Sequence, residues 1–262
     1  ADIGVGMGIT GTDVTKNVAD MVLADDNFAT IISAVEEGRR IYDNIRKVIQ
    51  FLLSANIAEV LSVFVATLVG FTIFQPVQLL WINLITDCFP ALALGMEDAE
   101  GNVMKRKPRN ASDGVFAGGM GLDIAVQGVI ITVLVLASFF VGVYFDMGYI
   151  DIADMIAGTA DEEGVTMAFI TLSMVEIFHC FNMRSRRASL FSMKKQNKWL
   201  WGAAALALVL TVVVVEVPFL AEMFGFMELP IEALAWAIGL AFLIIPIMEV
   251  YKAVMRGIEK NQ

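Results

Sequence analysis

The residues with the most chemistry to offer are carboxylates placed where carboxylates are costly. Glu59, Asp87 and Glu176 each lie in a long apolar run, with Asn56, Asn83 and Thr86 close by. Asn56 and Glu59 are three apart, which on a helix predicts one shared face, and Asn83, Thr86 and Asp87 have the same relation. A charged side chain at mid-bilayer costs about 2.5–3.5 kcal/mol on the cautious scale, and such residues commonly mark an ion or substrate path. The six groups offer oxygen: two amides, one hydroxyl and three carboxylates. That is roughly six to eight donors, the number calcium takes. A soft-metal site would recruit cysteine or histidine, and magnesium keeps its waters rather than enter an all-protein cage. Polar residues also bind membrane helices to one another, and Asn56 or Thr86 alone fits that reading equally well. Three carboxylates with no basic residue inside a span to neutralise them fit it poorly. They call for a cation or protons.

The elements that must position these groups follow from composition. Hydrophobic residues make up 58% of 262 and charged residues 18%, with a mean hydropathy of +0.72. Soluble domains carry roughly a quarter charged residues, so the apolar runs read as membrane spans. Six are long enough for ~30 Å of hydrocarbon, near 48–70, 77–96, 118–144, 165–183, 199–217 and 233–252. Pro90, shortly after Asp87, withholds a backbone donor and predicts a loosened helix beside the site. Residues 1–35 read as a partial α/β segment. It has a strand within Ile3–Met7, a helix capped by Thr12 or Asp13 and ending near Ala19, a strand over Met21–Ala24, and a turn at Asp25-Asp26-Asn27. A charged helix over 28–48 runs into the first span without a breaker. The fold class is mainly α, a six-helix transmembrane bundle behind that segment.

With six spans, all 18 Lys and Arg fall on one side. The opposite loops carry Asp146, Asp151, Asp154, Asp161, Glu162, Glu163, Glu222, Glu228 and Glu232. The positive-inside rule then predicts a multi-pass protein with both ends cytoplasmic. A net charge of −10 excludes nucleic acid as a partner. Cys88 and Cys180 lack metal or redox spacing and read as unpaired small core residues. The chain opens on Ala1-Asp2-Ile3 with no signal peptide, as a piece beginning within a domain would.

Asn56-Ile57-Ala58-Glu59, Trp81-Ile82-Asn83-Leu84-Ile85-Thr86-Asp87 and Pro90-Ala91-Leu92-Ala93-Leu94-Gly95 resemble the fifth and sixth membrane helices of calcium-transporting P-type ATPases, of the sarco/endoplasmic-reticulum type and its bacterial relatives. The opening 28 residues resemble the end of that family's haloacid-dehalogenase-like phosphorylation domain. EEGRRIYDNIRKVIQF resembles its stalk, and Met104–Arg109 its loop between helices six and seven. The resemblance implies a phosphorylation-domain piece over 1–35, a stalk over 36–47 and the membrane domain over 48–262. It implies calcium ligation by Asn56, Glu59, Asn83, Thr86, Asp87 and Glu176. It also implies an ATP-driven translocase moving calcium out of the cytoplasm with proton counter-transport, in the plasma membrane if bacterial. Sodium/potassium pumps have an Asp at the Asn83 position. Cys88-Phe89 stands where the family has Gly-Leu, and Lys105 and Lys107 make the loop more basic than usual. The family's DKTGT and GDGxNDxP motifs do not occur. ATP and magnesium are therefore expected to bind in an N-terminal part of the same pump, and this stretch alone is expected not to hydrolyse ATP.

Other signals carry less. Gly6-Met7-Gly8-Ile9-Thr10-Gly11 fits a dinucleotide fingerprint, but turn glycines explain it better. His179, the single histidine, reads as a packing residue, and Glu216 as reaching the interface. Arg184, Arg186 and Arg187 read as topology markers or anionic-lipid contacts. Within the class the rivals are a manganese or sodium/potassium pump. Outside it, a secondary cation/proton exchanger would use the same carboxylates but has no need of residues 1–35, and a membrane-embedded assembly unit would bind no calcium at all.

Overall fold

The structure is a computed structural model describing residues 2–101, 103–110, 112–150 and 162–260. Asp151, Asp154 and Asp161, expected in an acidic loop, lie outside the described residues. The chain forms two compact units, one built from the residues up to Asp43 with Asp98–Arg109, the other from Asn44–Glu97 with the residues from Asn110 onward.

In the smaller unit, β1 (Val5–Met7) and β2 (Met21–Leu23) pair in parallel, with Val5 opposite Met21 and Met7 opposite Leu23. Parallel neighbours need a crossover, supplied here by α1 (Asp13–Val18), whose cap Thr12 accepts from the Thr15 N–H. The structure has this two-stranded sheet in place of a larger α/β layer. A Cβ on Gly11 would fall 2.0 Å from the Met7 carbonyl oxygen, and one on Gly8 2.6 Å from that of Leu23. These two glycines are therefore set by backbone proximity. Asp26, at φ 50°, accepts from the N–H groups of Ile9 (2.8 Å) and Thr10 (2.7 Å). The Val103–Arg106 backbone is held by Arg39, which donates to the carbonyls of Val103 (2.8 Å) and Arg106 (2.9 Å), while Arg106 pairs with Asp43.

Among the described residues, six stretches are long and apolar enough to cross a membrane: 29–69, 76–95, 120–147, 162–182, 198–216 and 231–259. They coincide with the six predicted spans. The first, α2 (Ala29–Val69), is unbroken, as the missing breaker over 28–48 predicts. The second is not one regular helix. α3 (Pro76–Trp81) passes into a π-helical segment over Ile82–Asp87 and then into α4 (Cys88–Gly95). The predicted loosening beside Pro90 thus takes the form of a wide turn. Pro90 cannot give an N–H to the Thr86 carbonyl, and the Cys88 Sγ donates to the Asn83 carbonyl at 3.1 Å.

α5 (Met120–Met147) packs against α6 (Glu162–Asn182), and almost every residue of α6 is buried. α6 is enclosed by protein on all sides. That is why it can carry Thr166, Thr171, Ser173, Glu176, His179 and Asn182 without presenting polar groups to lipid. α7 (Lys198–Glu216) follows, then a short α8 (Pro218–Phe224) that starts on proline and ends on Gly225 at φ 69°. The last span is broken: α9 (Ile231–Phe242) stops at Leu243 and α10 (Ile244–Lys260) resumes. Pro246 has no N–H for the Phe242 carbonyl, which accounts for the break.

Candidate ion-binding site

Each of the three carboxylates comes from a different helix. Glu59 projects from the last third of α2, Asp87 ends the π segment, and Glu176 lies in the second half of α6. All three are buried, and one carboxylate oxygen from each lies within 4.8 Å of the others. The wide turn bears on this arrangement, because it brings Thr86 and Asp87 together onto the buried side next to Pro90.

Two of the flanking groups are tied to the acids. The Asn83 amide donates to both Glu59 oxygens at 2.9 Å and to the Leu79 carbonyl at 2.9 Å. The Thr86 hydroxyl lies 2.9 Å from the Ile82 carbonyl and also bonds Oε2 of Glu176. Neither Asp87 oxygen receives an N–H or O–H from a described residue, nor does Oε1 of Glu176. Among the described residues, no Lys, Arg or His lies within ion-pair distance of the three. The result is a buried, oxygen-only cluster with acceptor capacity left over. Such a cluster suits a hard cation, or protons in its place.

Of the six predicted ligands, five form this connected group and one stands apart. Asn56 is exposed, and its amide donates to the Leu52 carbonyl at 2.7 Å, whereas Glu59 is buried. A spacing of three is about 300° around a helix, enough to separate the two side chains at the edge of the buried face.

Several sequence expectations need correction. Cys88 is exposed rather than in the core; Cys180 is buried, and both are free. Lys252, within the sixth predicted span, is buried and donates to the carbonyls of Asn182 (2.6 Å) and Ala188 (3.4 Å). A basic residue does therefore occur inside a span, although it serves carbonyls and not the carboxylates. Arg184, read as a topology or lipid residue, is buried in a salt bridge with Glu97 at 2.8 Å. Arg186 and Arg187 converge on Asp123 at 2.7 and 3.1 Å, and the Tyr251 hydroxyl donates to the same carboxylate at 2.7 Å. The sequence alone does not single out Asp123 or Glu97. The available signal was an acid near the end of an apolar run facing a basic loop of similar depth. His179 is buried with its ring stacked 6.3 Å from Phe51, and neither ring nitrogen has a hydrogen-bond partner among the described residues.

Residues 71–254 match the family model described as cation transporting ATPase, C-terminus. The chain is 43% identical over 254 residues to calcium-transporting ATPase 1 of Bacillus cereus, covering 95% of this chain and 28% of that protein. It is 43% identical over 226 residues to the calcium-transporting ATPase of Bacillus subtilis, covering 86% and 24%. It is 37% identical over 280 residues to calcium-transporting ATPase 3, endoplasmic reticulum-type, of Arabidopsis thaliana, covering 98% and 28%. The chain spans less than a third of the length of these curated relatives.

Proposed function

The chain belongs to the cation-transporting ATPase family, and from that premise we propose that it forms the ion-binding membrane part of an ATP-driven calcium pump. One observation carries this reading: three buried carboxylates from three helices, with oxygens within 4.8 Å of one another and, among the described residues, no salt bridge to a cationic side chain. Glu59, Asp87 and Glu176 supply the charge, with Asn83 and Thr86 completing an oxygen cage of the kind calcium accepts. Asn56 joins the set only when its carboxamide leaves the Leu52 carbonyl and turns inward. The names of the relatives favour calcium among the hard cations. The emptied cluster takes up protons, because three adjoining acids away from water cannot all stay charged. That makes proton counter-transport the natural return step.

In this reading both ends of the chain are cytoplasmic, since the basic loops share one side. Residues 1–35 complete a haloacid-dehalogenase-like phosphorylation domain, 36–47 form the stalk, and 48–262 the membrane domain. ATP and magnesium act through the remainder of the pump, the chain by itself hydrolyses no ATP, and in a bacterium the pump lies in the plasma membrane. Manganese is the second reading, favoured by the same all-oxygen donor set.

The test uses the full-length protein. Asp87→Asn is expected to abolish calcium-dependent phosphorylation by ATP at calcium concentrations that saturate the parent. Wild-type calcium dependence in that variant would refute the proposal. Titration with manganese in place of calcium separates the two readings by the lower half-saturating concentration.

A further inference from the structure

Ten residues beyond Asp87 and eight beyond Glu176, the chain makes a second buried constellation. Glu97 follows the end of α4, and Arg184 follows the end of α6. Both are almost completely buried. The guanidinium reaches the carboxylate through two nitrogens, Nη2 at 2.8 Å from Oε1 and Nε at 3.1 and 3.2 Å from the two oxygens. Nη2 also donates to the Lys195 carbonyl at 2.6 Å. Asn197, which caps α7, donates to Oε2 of Glu97 at 2.8 Å and to the Ala93 carbonyl at 2.9 Å. On α2, buried Asn44 donates to the backbone carbonyls of Glu97 (2.7 Å) and Gly95 (3.2 Å).

Of the four helices whose residues or flanking residues meet at Glu97, three bear the ion-site acids, and the fourth, α7, contributes its cap Asn197. Asn44 of α2 grips its backbone, Arg184 just past the end of α6 grips its side chain, and Glu97 sits two residues past α4, which continues from the π segment that ends on Asp87. A bidentate guanidinium–carboxylate pair fixes orientation as well as distance. We propose that Glu97 and Arg184 are positioning residues for the ion site, holding Asp87 and Glu176 at ligating separation from about 12–15 Å away along their helices. The inference rests on the calcium-site reading above. Geometry at a metal cage is strict, because small errors in donor separation lower affinity before they affect anything else. The pair therefore governs how tightly the ion is held. The hydrogen bonds of the Arg184 side chain go to Glu97, Lys195 and Gln196 rather than to the ion-site acids, so maximal turnover is expected to be left largely intact.

The experiment measures half-saturating calcium and maximal ATPase rate in the full-length protein. Glu97→Gln is expected to raise half-saturating calcium about tenfold with the maximal rate within twofold. The double variant Glu97→Met with Arg184→Met leaves no uncompensated charge and is expected to show the same rise; a pair serving stability alone would return to parental affinity there. Arg184→Lys keeps the charge but loses the fork, and is expected to give about a threefold rise. It decides the matter if the other two do not accumulate. Parental calcium affinity in every variant that folds would overturn the proposal. Asp87→Asn is measured alongside: if it is also unaffected, the ion-site reading itself falls, whereas loss of calcium dependence there with parental affinity in the pair variants overturns the positioning role alone.

Discussion

Gly142 of α5 lies directly against the backbone of Gly164 near the start of α6. A Cβ on Gly142 would lie 2.8 Å from the Gly164 Cα and 2.9 Å from the Glu163 carbonyl oxygen. Small residues are what let membrane helices come this near, since lipid gives them no hydrophobic reason to do so. Gly142→Ala must push backbone rather than a yielding side chain, and is expected to cost about 1–3 kcal/mol. Thermal unfolding in detergent reads it as a lowered midpoint. Gly202→Ala, where an added Cβ would meet nothing within 4 Å, is expected not to lower the midpoint.

Asn83 supports a second prediction. Its amide is the donor that holds both Glu59 oxygens, and Asn83→Ala leaves that carboxylate free to turn from the cluster while removing one oxygen from the cage. The expected loss is about tenfold in calcium affinity, roughly 1.4 kcal/mol, read as the half-saturating calcium of the full-length protein.

Asp123 supports a third. Fully enclosed, it is the meeting point of Arg186, Arg187 and Tyr251. Asp123→Asn leaves Arg186 without a carboxylate and Arg187 with Glu259 alone, and is expected to destabilise by about 3 kcal/mol. That is the low end for a buried pair, because both arginines keep some contact with solvent. Tyr251→Phe removes one hydrogen bond and is expected to cost about 1 kcal/mol. Both are read from unfolding midpoints at matched detergent concentration.

A fourth prediction concerns pH in the small unit. The Thr10 hydroxyl, followed by the Ile9 N–H, holds the Asp26 carboxyl below the usual carboxylate range. A group whose pKa is lower in the folded state contributes its stabilisation above the unfolded value, about 3.9. It loses that contribution as pH falls through the folded value. Amide exchange at Ile9 and Thr10, corrected for intrinsic rates, is therefore expected to be protected at pH 6 and to lose protection on acidification below about pH 4. Asp26→Asn tolerates the positive φ and is expected to flatten that dependence.

What the sequence could reveal here tracks the range of the interactions. Spans and polar positions are local properties, so six apolar runs and the residues Glu59, Asn83, Thr86, Asp87 and Glu176 could be read directly. Thr12 as a cap and the two short strands were equally local. Asn56 parts from Glu59 in exposure because a three-residue spacing narrows a helix face without fixing where its edge falls. The ties at Glu97 and Asp123 join residues 87 and 63–128 positions apart, and no periodicity reports such distances. Pro246 did carry a legible signal for the interruption at Leu243, since the missing donor is a property of proline itself.

The wide turn over Ile82–Asp87 also sets a register. Closing a turn with one residue more than an α-helix allows puts α4 out of phase with α3 by one position, about 100° about the axis. A bulge of this kind can travel along a helix by trading one backbone bond for the next, and each trade swivels a single residue while the flanking segments keep their places. Asp87 lies at the bulge's trailing edge. One such exchange would withdraw its carboxylate from Glu59 and Glu176, so the cage could open by rotation alone, without either half of the helix sliding.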